Sequence, residues 1–358
     1  MQFRTNRDSV VSRKASKKTT SATFTQYIHR RKKRKFKYPP LHISSCKLQM
    51  ATAVSSAGDP TTTIDDVHPD VLIGALSHLD GPSLASASCA TAHLRSISSA
   101  PDLWRRLCLS TWPSLRHHPR LVRLLDASPR QFFADAYPFP TPAAPVARTT
   151  SDQLPDELIS AVDLYHRGGT PIFSCSVETN TSSEWFRAAP FRIDVPTNAS
   201  VRPEELTLSW ILIDPAKGRA VNVSSRRMVA AERRVWSAGE MTARFATVAN
   251  GCALSAAVAW KKGTGDVLEV GLTVEDMDGV CVSGSEGLRA VRAAMEAGRK
   301  GRGKGEEEAE AKAKYLEYLT RKRCRVESRV REERSADVHC AAVSVALFLA
   351  FVFLLIFR

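Results

Sequence analysis

The spacing of apolar residues changes along the chain, and those changes divide it. From Val67 to Leu107 apolar residues recur at three- and four-residue spacing, which predicts helix-sized pieces cut by Gly81-Pro82 and by Pro101. Pro69 suits a first helical turn, where its missing N–H costs nothing. Val71, Leu72, Ala75, Leu76 and Leu79 then share one face. Asp80 or Ser83 can cap the next piece, which carries Leu84 and Ala87. Leu94 and Ile97 mark a third piece, and Asp102, Leu103, Trp104 and Leu107 open a further short one. Leu121, Leu124 and Leu125 predict another helix, and the four prolines from Pro138 to Pro145 read as a stiff linker. So small a helical unit carries more apolar surface than it can hide alone.

From about residue 153 to 297 the period becomes two. Strand-like runs cover Leu158 to Leu164, Pro171 to Val177, Leu206 to Ile213, Ala220 to Val223, Met241 to Val248, Ala253 to Trp260 and Leu268 to Glu275. Asp214-Pro215-Ala216-Lys217-Gly218 supplies a hairpin loop. The expected fold class is α+β: N-terminal helices, then a mainly antiparallel sandwich closed by one helix from Ser283 to Gly298.

The C-terminal part loses the strand period. Glu306 to Asp337 is highly charged and free of Gly and Pro, predicting a solvated helix. Leu316, Leu319, Val326 and Val330 lie at helical spacing, but Lys312 and Arg323 share the seam and weaken a coiled-coil reading. Cys340 to Phe357 is eighteen residues without a charge. As a helix it spans roughly 27 Å, the thickness of an endoplasmic-reticulum bilayer. Val345, Leu347, Leu349, Phe351, Phe353 and Leu354 are its anchor residues, and Arg329, Arg331 and Arg334 place its approach in the cytosol. A tail anchor in that membrane is the expectation; a buried C-terminal helix, with the chain in nucleus or cytoplasm, is the alternative. The boundaries are a leader 1–66, helices 67–107, an extension and linker 108–152, a β-rich part 153–297, a charged stalk 298–337 and a tail 338–358.

Charge modifies this picture only at the start. The chain carries a net +14, but residues 1–49 hold fourteen Lys and Arg against one acid, Asp8, so +13 of it lies there. The remainder is nearly neutral, and nucleic acid is not an expected partner. The leader lacks periodicity and reads as disordered. Arg30 to Lys35 admits three readings, a nuclear-localisation run, a phosphate-contacting arm or a solvated tail; the leader's Ser/Thr/Arg-rich composition also resembles an organellar transit peptide, and Met50-Ala51-Thr52-Ala53 reads as a natural start. The eight cysteines lie at least sixteen residues apart, so no metal knuckle forms and reduced thiols are expected. Three sequons, at Asn180, Asn198 and Asn222, are then chance matches.

Candidate chemistry is sparse. No Gly-x-Ser-x-Gly, phosphate loop or His-Glu-x-x-His occurs, the run 298–305 imitates a phosphate loop by composition only, and no catalytic residue, metal or cofactor is expected. Ser224-Ser225-Arg226-Arg227 could meet a phosphorylated ligand, with a plain exposed loop as the blander reading. Trp185, Trp210, Trp236 and Trp260 could line a sugar-binding face, with core packing the better reading for most.

Residues 67–107 resemble an F-box, the module that docks on a Skp-type adaptor of a cullin-RING ubiquitin ligase. Pro69, the Leu72/Leu76/Leu79 stripe, Leu84 after Gly81-Pro82, Ala87-Ser88 and the closing Pro101 to Leu107 carry the resemblance. His68 and Leu94 depart from the family pattern. A subset of plant F-box proteins is similar further on, through Thr111-Trp112-Pro113-Ser114, Ala161-Val162-Asp163, Trp185-Phe186, Leu208 to Pro215 and Ser224 to Arg227. The resemblance implies adaptor binding through Pro69, Leu72, Leu76, Leu79, Leu84 and Ala87. It implies that the β-rich part holds an unnamed ubiquitination target, for which Trp185, Arg226 and Arg227 are candidate contacts.

Overall fold

The computed structural model describes residue 64 and residues 67–137, 153–166, 169, 171–200, 205–233, 239–296 and 306–358. The leader readings, the proline-rich linker, Trp236 and the run 298–305 lie outside the described residues.

Helices α1 (Pro69–Leu76), α2 (Gly81–Ala87), α3 (Ala92–Ser98) and α4 (Pro101–Thr111) are short, and their starts are locally built. Asp80 accepts from the Ser83 N–H at 3.0 Å and Thr91 from the Leu94 N–H at 3.1 Å, while prolines open α1, α2 and α4. A 3-10 turn (Pro113–His117), α5 (Pro119–Ala127) and α6 (Pro129–Ala136) follow. Gly81 is fixed by packing: a Cβ there would stand 2.1 Å from the Phe133 ring of α6.

The strands are β1 (Glu157–His166), β2 (Pro171–Asn180), β3 (Arg192–Val195), β4 (Leu206–Asp214), β5 (Arg219–Asn222), β6 (Ala230–Arg233), β7 (Glu240–Ala249), β8 (Cys252–Lys261) and β9 (Val267–Glu275). They form two antiparallel sheets, ordered β2-β1-β4-β5 and β3-β9-β8-β7-β6. The seven expected strands are present. Two were not expected, β3 and β6, which are four-residue edge pieces too short to display a period of two. Helix α7 (Glu184–Ala188) lies between β2 and β3, and α8 (Gly284–Glu296) follows β9.

The first sheet is buried on both faces. Leu158, Val162 and Leu164 of β1, with Leu208, Trp210 and Leu212 of β4, meet Phe245, Leu254, Val258 and Leu272 of the second sheet. The alternate residues Ile159, Ala161, Ile211, Ile213 and Ala220 point the other way and share a core with Leu84, Leu103, Trp104, Trp112, Leu121 and Phe133. The helices therefore form a layer on the sandwich, and the near-continuous apolar run of β4 follows from burial on two sides.

Polar links pin that layer. Asp163 of β1 is fully buried and accepts from the Ser114 N–H (2.9 Å), the Ser114 hydroxyl (2.6 Å) and the Ser174 hydroxyl (2.6 Å). The Tyr165 hydroxyl donates to the Thr111 carbonyl at 2.6 Å. Asp135 of α6, also buried, accepts from Arg219 of β5 at 2.7 Å, and the same guanidinium reaches the Met295 carbonyl of α8 at 2.8 Å. His118 and Arg120 meet Glu178 of β2, at 2.7 and 3.2 Å.

The charged segment is helical as expected and residues 323–337 are exposed, but its first part is docked. One helix, α9, runs unbroken from Glu306 to Ile356, and Ala311, Tyr315 and Tyr318 are buried against Ala246 and Ala253 of the second sheet. Alanines on that sheet face make the room two tyrosines need.

Burial raises the Asp163 carboxyl above its ordinary range, against the opposing pull of its serine donors. A folded-state pKa above the unfolded one means that acidification through that window favours folding at this site. Asp163→Asn is therefore expected to destabilise the protein by about 1–3 kcal/mol at neutral pH through mismatched donors. Melting curves from pH 7 down to pH 4 should show the parent gaining stability relative to the variant as pH falls; parallel curves would show that the carboxyl does not titrate there.

Candidate docking and recognition surfaces

Helix α1 carries two adjacent apolar stripes, and only one is accessible. Leu72 and Leu76 turn inward and are buried, as is Leu84 of α2, while Leu79 and Ala87 are half-buried against the same core. Pro69, Val71, Gly74, Ala75 and His78 lie outward, with Val71 63% exposed. Residues 71, 74, 75 and 78 are at i, i+3, i+4 and i+7, so they form one strip. Of the residues the resemblance implied as adaptor contacts, Leu72, Leu76 and Leu84 are buried in this arrangement, and Pro69 is exposed. The exposed strip is Pro69 with Val71 and Ala75, edged by Leu79 and Ala87. Burial separates two stripes that spacing alone merges, since they lie about 100° apart on a 3.6-residue helix.

Behind this strip the helices are held by aromatic contacts. The Trp104 indole N–H donates to the Ser98 carbonyl at 2.7 Å, and its ring lies 5.5 Å from Phe133, which in turn stands 5.2 Å from Trp112 and 5.3 Å from Tyr137. The Arg130 guanidinium lies 5.7 Å from the Trp104 ring. The Cys108 thiol is pushed up to about 12 by burial, so it is a packing group and not a nucleophile.

The candidate target contacts do not converge. Trp185 is 81% exposed on α7, beside the Asp156 end of β1, where Thr181 donates to the Asp156 carbonyl. Arg226 and Arg227 are exposed at the other end, for Arg227 bridges Thr207, the partner of Tyr165. Those ends of β1 are separated by eight residues, roughly 26 Å. Ser224 and Ser225 are buried, against the exposed-loop expectation: the Ser224 hydroxyl accepts from the Trp210 backbone N–H at 2.9 Å and lies 3.1 Å from Asn222 Oδ1. That motif is a strand-end brace with two arginines beyond it. Trp210 and Trp260 are core residues, which removes the aromatic sugar face and leaves Trp185 displayed. A cleft of about 300 Å³ opens between the edge strands, lined by Ile172, Phe173, Pro196, Thr197, Asn198 and Ala199, without any motif in the sequence to announce it.

At the C-terminus the residues expected as an anchor, Val345, Leu347, Leu349, Phe351, Phe353 and Leu354, are all exposed. The helix is long and apolar enough to cross a membrane, its most apolar stretch having a mean hydropathy of 2.6 with none of it buried.

No protein-family profile matches the sequence. A probable F-box protein of Arabidopsis thaliana is 37% identical over 329 residues, 85% of this chain and 98% of the relative. Two further Arabidopsis F-box proteins are 35% identical (84% of this chain, 97% of the relative) and 34% identical (86% and 93%). The chain belongs to the plant F-box protein family. In this F-box protein Thr111 to Ser114 and Ala161 to Asp163, which carried the resemblance separately, touch each other through Ser114, Asp163, Tyr165 and Thr111.

The division of α1 into two stripes sets an expectation for paired variants. Leu76→Ala should lower stability by about 2–5 kcal/mol through loss of buried contacts. Val71→Asp should leave the melting transition within a degree or two of the parent. Equal destabilisation by both, measured by thermal unfolding, would contradict this assignment of faces.

Proposed function

We propose that this F-box protein is the target-selecting, non-catalytic subunit of a Skp–cullin–F-box ubiquitin ligase, docked through residues 67–107 and held on a membrane by its last helix. The observation that carries the reading is the joint core of the docking helices and the sandwich. An exposed apolar strip, Pro69 with Val71 and Ala75, sits on helices that share buried side chains with the first sheet. A partner gripping that strip also fixes the orientation of the sandwich. In this scheme the subunit accelerates transfer by proximity, raising the effective concentration of a target lysine beside a charged conjugating enzyme.

The membrane half of the reading is supported by the bare apolar end of α9. A helix belonging to a soluble core buries one face, whereas here every large residue from Val345 to Phe357 except the half-buried Val352 is exposed. Bilayer hydrocarbon supplies the missing surroundings without demanding a polar face. The boundary of the docking module at 67–107 is part of the proposal, because α4 continues into the packing of α5 and α6.

Pro69→Ala combined with Val71→Asp is expected to weaken capture of the Skp-type adaptor at least tenfold, as loss of central anchors does, with the melting temperature unchanged. Full binding by that folded variant would sink the docking model. Alkaline-carbonate extraction checks the tail: the full chain should stay in the pellet and a form lacking residues 338–358 should wash out. Release of the full chain would eliminate the anchor.

A further inference from the structure

Helix α9 does two jobs without a break. Its first half lies across the second sheet and its second half is the bare apolar span. The docked residues are Ala311, Tyr315, Tyr318, Lys322, Arg325 and Arg329, spaced by threes and fours and so on one face. Along the helix they meet, in order, β7 and β8, the end of β9, and the turn after it. Tyr315 and Tyr318 pack on Ala246 and Ala253, and the Tyr318 hydroxyl donates to the Asp276 carbonyl. Lys322 Nζ is 3.1 Å from Glu275, and Arg329 and Arg325 reach Asp278 at 2.7 and 3.7 Å. Gly279, at φ +76°, lets the Lys322 stem lie against the turn. The ion pairs join exposed or half-exposed cations to mostly buried carboxylates; the tyrosines supply the apolar burial, and the pairs set the register.

The helix therefore leaves the sandwich at Arg329, beside the Asp276–Gly279 turn, and the uncharged run begins at Cys340. Eleven residues of helix rise about 16 Å. Headgroups occupy roughly 5–7 Å of that distance. The remaining gap is close to the diameter of one helix, about 10 Å.

What faces this gap is the end of the sandwich that also displays Trp185. Val280, 57% exposed, follows the turn. Val282 bonds to both Val274 and Phe191, the Gly284 N–H donates to the Ala189 carbonyl, and Ala189 closes α7. Two exposed apolar side chains, Trp185 and Val280, thus stand on the membrane-side end, joined through that short backbone path.

We infer that the docked half of α9 holds the sandwich at a fixed height and orientation, so that Trp185 and Val280 bind a polypeptide segment lying on the surface of the same bilayer. This rests on the membrane reading above and names the target class it serves: proteins embedded in, or lying flat on, that membrane. A soluble target free in the cytosol has no reason to meet this end first. A fixed stand-off with room for one layer of polypeptide selects against bulky folded domains.

The test uses the full chain in its own membranes, with a benzophenone side chain incorporated at Glu184, at Val280 or at Lys262; Lys262 is exposed at the far end of β8. Irradiation is expected to give protein adducts at positions 184 and 280, at least tenfold above position 262, that stay in the membrane pellet after carbonate washing. A twelve-residue Gly-Ser linker inserted after Ser335 frees the orientation while leaving both the docked residues and the span intact. It should cut those adducts at least fivefold while adaptor capture is unchanged. Adducts to lipid alone, adducts that wash off with carbonate, equal yields at the three positions, or yields indifferent to the linker would each overturn the proposal. Release of the chain itself by carbonate would overturn the membrane reading beneath it, which the other outcomes leave standing.

Discussion

Burial of the first sheet on both faces is the constraint on which the rest of this structure depends. One face of β1 and β4 belongs to the sandwich core, and the other belongs to the helices. A strand pair in that position has no wet side, so a charged residue within it needs internal partners. Among its buried polar residues, Ser160, Asp163, Ser209 and Asp214, Asp163 is the one whose three serine contacts join the 3-10 turn to β1 and β2. The cost of burying a carboxylate is visible in its raised pKa, since burial outweighs the serine donors and the smaller pull of His117. What is obtained in exchange is geometric: a helical layer that cannot slide on the sheet.

The same constraint bears on the F-box helices of this family member. A three-helix unit of forty residues would be marginal alone. Here Leu84, Trp104 and Phe133 belong to the same core as Ile159 and Ile211, so the helices take their stability from the sheet. The exposed strip proposed to meet a partner can then be small without threatening the fold. The second sheet is finished in a similar way, by tyrosines of α9 on alanines of β7 and β8. Both outer faces of the sandwich are covered by helices from opposite ends of the sequence.

Much of this was legible in the residues. The change from helical spacing to a period of two located the β-rich part, and seven of its strands began and ended within a few residues of their expected limits. The leucine stripe of α1 was legible as a stripe, but its direction was not, because Leu72 and Val71 are neighbours on a helix and only tertiary packing separates them. Edge strands β3 and β6 lacked the length to show alternation. The docking of α9 was hidden for a different reason: its buried face is two tyrosines, an alanine and the stems of basic residues, which reads as solvated when charge alone is counted. The recognition candidates failed to converge because sequence proximity to a matching motif says nothing about which end of a ten-residue strand a loop belongs to.

The unbroken course of α9 has a consequence for how this protein can vary. Helical phase couples length to direction: one residue added between Arg329 and Cys340 would lift the sandwich by about 1.5 Å and swing it by about 100° around the helix axis. A loop of the same length would absorb such a change, but a helix transmits it. In the proposed mounting, insertions and deletions in this short segment are therefore rotations of the whole receptor, and those near multiples of a full turn are the ones that keep the same end of the sandwich facing the same direction along the membrane.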